Sequence, residues 1–159
     1  MSYFEGEMAR ALVLALFIPL IISSGGNSGA QASTLVIRAM GMGEVKLRDW
    51  WRVLRRELGV GLLLGMVLGA IGLARVLLMP AASVQTQHHE LLLAITVATS
   101  LVWIVLWGAI VGAMLPFLLR RLGFDPASAS APFVATLSDV TGIVIYFSVA
   151  TVLLTGTLL

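Results

Sequence analysis

Apolar residues run through this chain in long blocks, not at the every-second or every-third-or-fourth spacing of half-buried elements. A helix crosses a bilayer with about 20 mostly apolar residues. Four blocks meet that need, at about 8–40, 58–79, 91–119 and 131–159. The first and third exceed one crossing, so they should tilt, bend or extend past the bilayer. The first is interrupted by Ser23-Ser24-Gly25-Gly26-Asn27-Ser28-Gly29, which predicts a helix broken at that point. After it, Leu47, Trp50, Trp51, Leu54 and Leu58 fall at helical spacing among Lys46, Arg48, Arg52, Arg55 and Arg56. That pattern predicts a basic amphipathic helix over about 46–57, lying on the membrane surface with its tryptophans at headgroup level. The chain reads as one transmembrane domain over 1–159: all-α, integral to the lipid bilayer, with four transmembrane helices. Met1 to Glu7 is too short for the start of a cleaved signal peptide, and no small-residue cleavage site follows.

Composition agrees and excludes other classes. The residues AVILMFWYC make up 59% and charged residues 11%. The 16 glycines of 159 residues bring the apolar share to about 69%, against roughly 45–50% in soluble domains, where about 25% of residues are charged. Mean hydropathy is +1.02. A soluble enzyme, a nucleic-acid module, a disordered chain and a disulfide scaffold are all excluded, and the lack of Cys removes thiolate metal sites. The net charge is only +2, so the basic pI is no nucleic-acid signal. The placement of the cations carries the information. Arg38 at the end of the first block and five more (Lys46, Arg48, Arg52, Arg55 and Arg56) before the second make six, two (Arg120 and Arg121) lie between the last two blocks, and none in 80–90. The positive-inside rule then puts loops 41–57 and 120–130 in the cytoplasm and 80–90 outside, with both termini outside, in an inner or plasma membrane. Arg75 can snorkel to the headgroups. His88 and His89 read as part of a solvated loop.

Small residues mark packing. Gly61, Gly65 and Gly69 form two overlapping GxxxG steps with Gly72 beyond, and Gly108 and Gly112 form another. Such spacing lets helix backbones approach closely in lipid. Trp103 and Trp107 read as packing or lipid contacts, and Pro116 as a kink near the end of the third block.

Two constellations carry candidate chemistry. The segment Gly25 to Gln31 combines three glycines with Asn27, Ser28 and Gln31. Irregular backbone at membrane depth is tolerated only inside protein or facing water, so this composition suits a cavity-lining break. A packing notch with interhelical hydrogen bonds is the alternative. The other is Thr136-Leu137-Ser138-Asp139-Val140-Thr141-Gly142, where Asp139 is the one acid well inside an apolar block. A carboxylate there costs at least about 2.5–3.5 kcal/mol unless neutralised, paired or hydrated. Three readings fit: a cation site, a proton relay, or a structural Asp. Ala135 lies one turn before Asp139. Oxygen-only ligands favour a hard cation such as Mg²⁺ or Ca²⁺. No nucleophile–base pair or His-rich metal set lies within the blocks, so an enzyme is not expected.

The run Pro19 to Leu35, Arg38-Ala39, Leu47-Arg48-Asp49-Trp50, Gly112-Ala113-Met114-Leu115-Pro116, Asp125-Pro126-Ala127 and Ala135 to Gly142 together resemble the pore domain of the MgtE family of magnesium channels, in order and spacing across nearly the whole chain. The resemblance implies a homodimer with the ion path at the subunit interface. It further implies that Asp139 holds hydrated Mg²⁺, the transported ion, with the Ala135 carbonyl nearby and Gly25, Gly26, Asn27 and Gly29 along the same path. Family pore domains usually have five transmembrane helices, and Met1-Ser2-Tyr3-Phe4-Glu5-Gly6 matches the junction before the second. A first helix and the cytoplasmic regulatory domains are therefore expected to be missing, or to come from another chain. The expected function is Mg²⁺ conduction into the cytoplasm down its electrochemical gradient. The alternatives are a proton- or sodium-coupled divalent cation exporter and a non-conducting membrane scaffold.

Overall fold

The structure, a computed structural model, describes residues 14–78, 90–128 and 131–154. The expectations for residues 8–13, for the loop with His88 and His89, and for the last five residues lie outside these. Four α-helices form the described residues, with no strand among them: α1 (Ile18–Gly41), α2 (Trp50–Leu77), α3 (Glu90–Arg121) and α4 (Ala131–Leu154). Short 3₁₀ turns, Leu47–Asp49 and Pro126–Ser128, precede α2 and α4. Three stretches are long and apolar enough to cross a membrane, Leu47–Leu77, Leu91–Arg121 and Ala131–Leu154. α1, with its serines, Asn27 and Gln31, is not among the three, where four crossings were expected.

The first helix is not broken at its glycine-rich segment. α1 runs unbroken through Gly25–Gly29, and the chain instead turns upstream at Leu16 and Phe17. Pro19 gives the reason. It lies in the first turn of α1, where its missing N–H costs nothing, and its ring would clash with a helical carbonyl four residues back. The glycines tolerate the helix because close packing against α3 offsets their conformational cost. A second correction concerns 46–57. The segment is not a separate surface helix. The Lys46 N–H donates to the Asp49 carboxylate at 3.0 Å, and the 3₁₀ turn leads directly into the two turns that begin α2. α3 likewise continues through Pro116 to Arg121.

α3 is the hub. It packs against α1, α2 and α4, whereas α1 and α2 scarcely meet. Gly61 faces Ala109, Gly65 faces Val102 and Gly69 faces Ala98, so α2 runs antiparallel to α3. Only Gly61, Gly65, Gly69, Gly72 and Val76 of α2 are buried. Beyond its charged first turns, its outer surface carries exposed apolar residues suited to lipid, including Leu63, Met66, Val67 and Ile71. Gly25 and Gly29 face Gly108 and Gly112 in parallel order, and Gly26 faces Asp139 in antiparallel order. Directions therefore alternate along the chain.

Apolar clusters close the two ends of the bundle. One joins Phe17, Ile21, Leu101, Ile104, Tyr146 and Leu154, and the other joins Val36, Met40, Ala113 and Phe117. Between them lies a belt of small and polar residues: Gly25, Gly26, Gly29, Gly108, Gly112, Ser138 and Asp139. The loops after α1 and α3 both turn through glycines with positive φ, Gly43 at 74° and Gly123 at 85°.

Candidate ion-binding site in the membrane

Helix α4 positions Asp139 about two turns from its start, and Gly26 of α1 makes room for it. A methyl group built on Gly26 would stand 2.7 Å from Asp139 Oδ1 and 3.6 Å from the Ala135 Cβ. Any side chain at position 26 would therefore collide with the carboxylate. Asp139 is half-buried, and among the described residues no basic group or hydrogen-bond donor reaches its carboxylate. An unpaired carboxylate within an apolar helix needs water, a proton or a cation. The half-open side of the site provides access for one of them.

That open side is polar on α1. Ser23, Asn27, Gln31 and Thr34 are all exposed and share one face, with Gly26 at its edge. The Asn27 amide donates to Ser23 Oγ at 3.2 Å, which leaves its carbonyl oxygen free to face outward. On α4, Thr136 is exposed one turn from Asp139, its hydroxyl donating to the Pro132 carbonyl at 2.9 Å. Ala135 sits beside Asp139 on the same face. Because α4 is helical there, the Ala135 carbonyl already accepts the helix bond and has one lone pair to spare.

The six residues singled out from the sequence divide into two groups. Asp139, Ala135 and Gly26 come together, with Asn27 on the adjoining exposed face. Gly25 and Gly29 do not reach that face. A methyl on Gly25 would meet Ile104 Cγ2 at 2.5 Å, and one on Gly29 would meet the Gly108 carbonyl oxygen at 2.9 Å. In return, the Gly25 and Gly29 carbonyls press on the Cα atoms of Gly108 and Gly112, where a side chain would otherwise stand. Cα–H groups pointing at carbonyls in this way recur at close helix crossings. These two glycines set the depth of α1 in the bundle.

Other contacts were not evident from the sequence. Ser138 Oγ is buried with no hydrogen-bond partner and lies 3.0 Å from where a Gly29 side chain would begin. Tyr146, on the Asp139 face two turns further along α4, donates its hydroxyl to the Leu14 carbonyl at 2.9 Å. That bond ties the turn before α1 to the end of α4. Trp107 Nε1 donates to Thr141 Oγ1 at 2.9 Å, joining α3 to α4 beside the site. The pairing of Trp107 with a polar residue 34 positions on has no local sequence signal. Among the described residues, no three His, Cys, Asp or Glu side chains gather closely enough to hold a metal. Among the described residues of α4, Asp139 is the one carboxylate.

Comparison with known proteins places this arrangement. The family model for MgtE, described as a divalent cation transporter, matches residues 18–149. The chain belongs to the MgtE family. The matched range contains α1, α2, α3 and all of α4 except its last turn, so Gly26 and Asp139 both lie within it. The chain is 50% identical over 151 residues to the magnesium transporter MgtE of Thermus thermophilus, an alignment covering 95% of this chain and 32% of that protein. It is 34% identical over 149 residues to the magnesium transporter MgtE of Enterococcus faecalis, and 33% over 150 residues to that of Bacillus subtilis. Each alignment spans about a third of the relative's length. MgtE relatives carry the name of transporters, in keeping with a chain whose sequence holds no enzyme-like constellation.

Proposed function

We propose that this chain forms the transmembrane pore of a Mg²⁺ channel, with two copies enclosing the ion path and Asp139 of each facing it. The observation that carries the reading is the half-open carboxylate of Asp139 set against Gly26, on an otherwise apolar helix and beside the polar face of α1. A hydrated Mg²⁺ is the ligand that fits. Mg²⁺ dehydrates reluctantly and needs octahedral oxygen ligands, so it keeps several waters and is recognised through them. Two Asp139 carboxylates supply about −2, matching the ion. The Ala135 carbonyl and the Asn27 amide oxygen accept from its water shell, and Gly26 keeps the path wide enough for that shell. Gly25 and Gly29 act indirectly, by seating α1 against α3.

Direction follows from charge. The arginine-rich ends of α1, α2 and α3 mark the cytoplasmic side by the positive-inside rule. A potential of 100 mV, negative inside, then drives a divalent cation inward with about 4.6 kcal/mol, twice the roughly 2.3 per unit charge.

Cation flux into liposomes containing this chain tests the reading. Wild-type chain should carry Mg²⁺ down its gradient, and Asp139→Asn and Asp139→Ala should abolish the flux while keeping the helical content. Undiminished flux in Asp139→Asn would remove the assignment. Flux that requires an imposed proton or sodium gradient would favour coupled export, and no flux in wild type would favour a scaffold.

A further inference from the structure

A groove of about 490 Å³ opens at the arginine-rich end of the bundle, between the 3₁₀ turn before α2 and the last two turns of α3. Its walls are apolar: Leu47, Trp50, Met114, Phe117 and Leu118. Its only charged lining residues are Arg48 and Arg121, both exposed. The neighbouring acid, Asp49, accepts the Lys46 N–H and does not line the groove. A second groove, of about 430 Å³ between α1 and α2, has a balanced rim in which Arg38 and Arg56 stand with Glu44 and Glu57. Charge therefore distinguishes the two, and only the first selects an anion.

We propose that the Arg48–Arg121 groove binds one anionic phospholipid, with the phosphate between the two guanidinium groups and an acyl chain along Met114, Phe117 and Leu118. Two observations and the chemistry of the lining favour this occupant. The groove sits at the arginine-bearing end of the Leu91–Arg121 stretch, which is long and apolar enough to cross a membrane. Trp50, 48% exposed at its edge, is the residue type that settles at the lipid–water interface. Guanidinium groups hold phosphate oxygens through paired N–H donors, and the apolar walls suit a chain that a free phosphate lacks.

Native mass spectrometry of the purified chain, with phosphatidylglycerol and phosphatidylcholine in competition, tests the site. Wild type should retain phosphatidylglycerol preferentially. R48Q/R121Q should lose that preference by about tenfold or more, since each cation near anionic lipid contributes about 1 kcal/mol. R52Q/R55Q removes two exposed arginines that line neither groove and should leave the preference intact. Equal losses in both double variants would mean diffuse surface attraction and overturn the site. Equal retention in wild type and R48Q/R121Q would overturn it too. Displacement by glycerol phosphate alone would make the ligand a free phosphate, and displacement by polyglutamate but not by added phosphatidylglycerol would make it an acidic protein segment. Either result would overturn the lipid assignment. Quenching of Trp50 fluorescence by brominated phosphatidylglycerol, in a background with the other tryptophans replaced by Phe, supplies a second readout. It should fall in R48Q/R121Q even if that variant's lipid complexes do not survive ionisation.

Discussion

Position 26 shows how a missing side chain can act on a carboxylate. The atom that a Gly26→Ala methyl would strike, Asp139 Oδ1, is the end of a short flexible side chain, so rotation relieves the clash. Gly26→Ala should therefore change the melting temperature in detergent little, by the equivalent of less than about 1 kcal/mol, because Ala also favours the helix. It should nevertheless cut Mg²⁺ flux at least about tenfold by turning the carboxylate off the path. Unchanged flux would separate Gly26 from the site. Tyr146→Phe makes the opposite test. The buried Leu14 carbonyl loses its partner on α4, at a cost of about 1 kcal/mol read as a lower melting temperature. Asp139 was legible in the sequence because an acid inside an apolar block stands out physically. Ser138 and the Trp107–Thr141 bond were not, because a hydroxyl among apolar residues looks alike whether it bonds its own helix, a neighbour or nothing.

Glycines decide how the helices meet. At Gly112 a methyl would run into the Gly29 carbonyl, and backbone cannot rotate away as a side chain can. Gly112→Ala should thus lower stability by about 1–3 kcal/mol or more, the range for overpacked contacts, whereas Gly59→Ala, with open space around it, should not. Thermal unfolding followed by tryptophan fluorescence reads both. The apolar blocks made α3 and α4 legible to within a few residues in the described parts, whereas α2 begins eight residues before its block, at Trp50. The glycine-rich segment misled for a physical reason. Three glycines weaken an isolated helix, yet the same lack of side chains lets α1 approach α3 closely enough to stabilise it. Helix propensity counts the first effect only. The true interruption, at Leu16 and Phe17, carried its signal in Pro19.

Across the whole molecule, the exposed surface is of two kinds. α2 presents leucines and valines, while α1 presents Ser23, Asn27 and Gln31 beside the half-open Asp139. The chain contains no Cys, so single cysteines report cleanly on where water reaches. In liposomes, Asn27→Cys should react with a charged methanethiosulfonate reagent and be slowed by millimolar Mg²⁺, while Val67→Cys should stay unreactive. Equal reactivity at both positions would mean that the polar face of α1 lines no aqueous path. The position of α3 has one more consequence, for how such a chain is made. Synthesis proceeds from the N-terminus, so α1 and α2 are made before α3. They scarcely touch each other, and each finds its seat on α3. Until α3 is made, α1 and α2 lack the surface on which each packs, and the close glycine contacts of both wait for it.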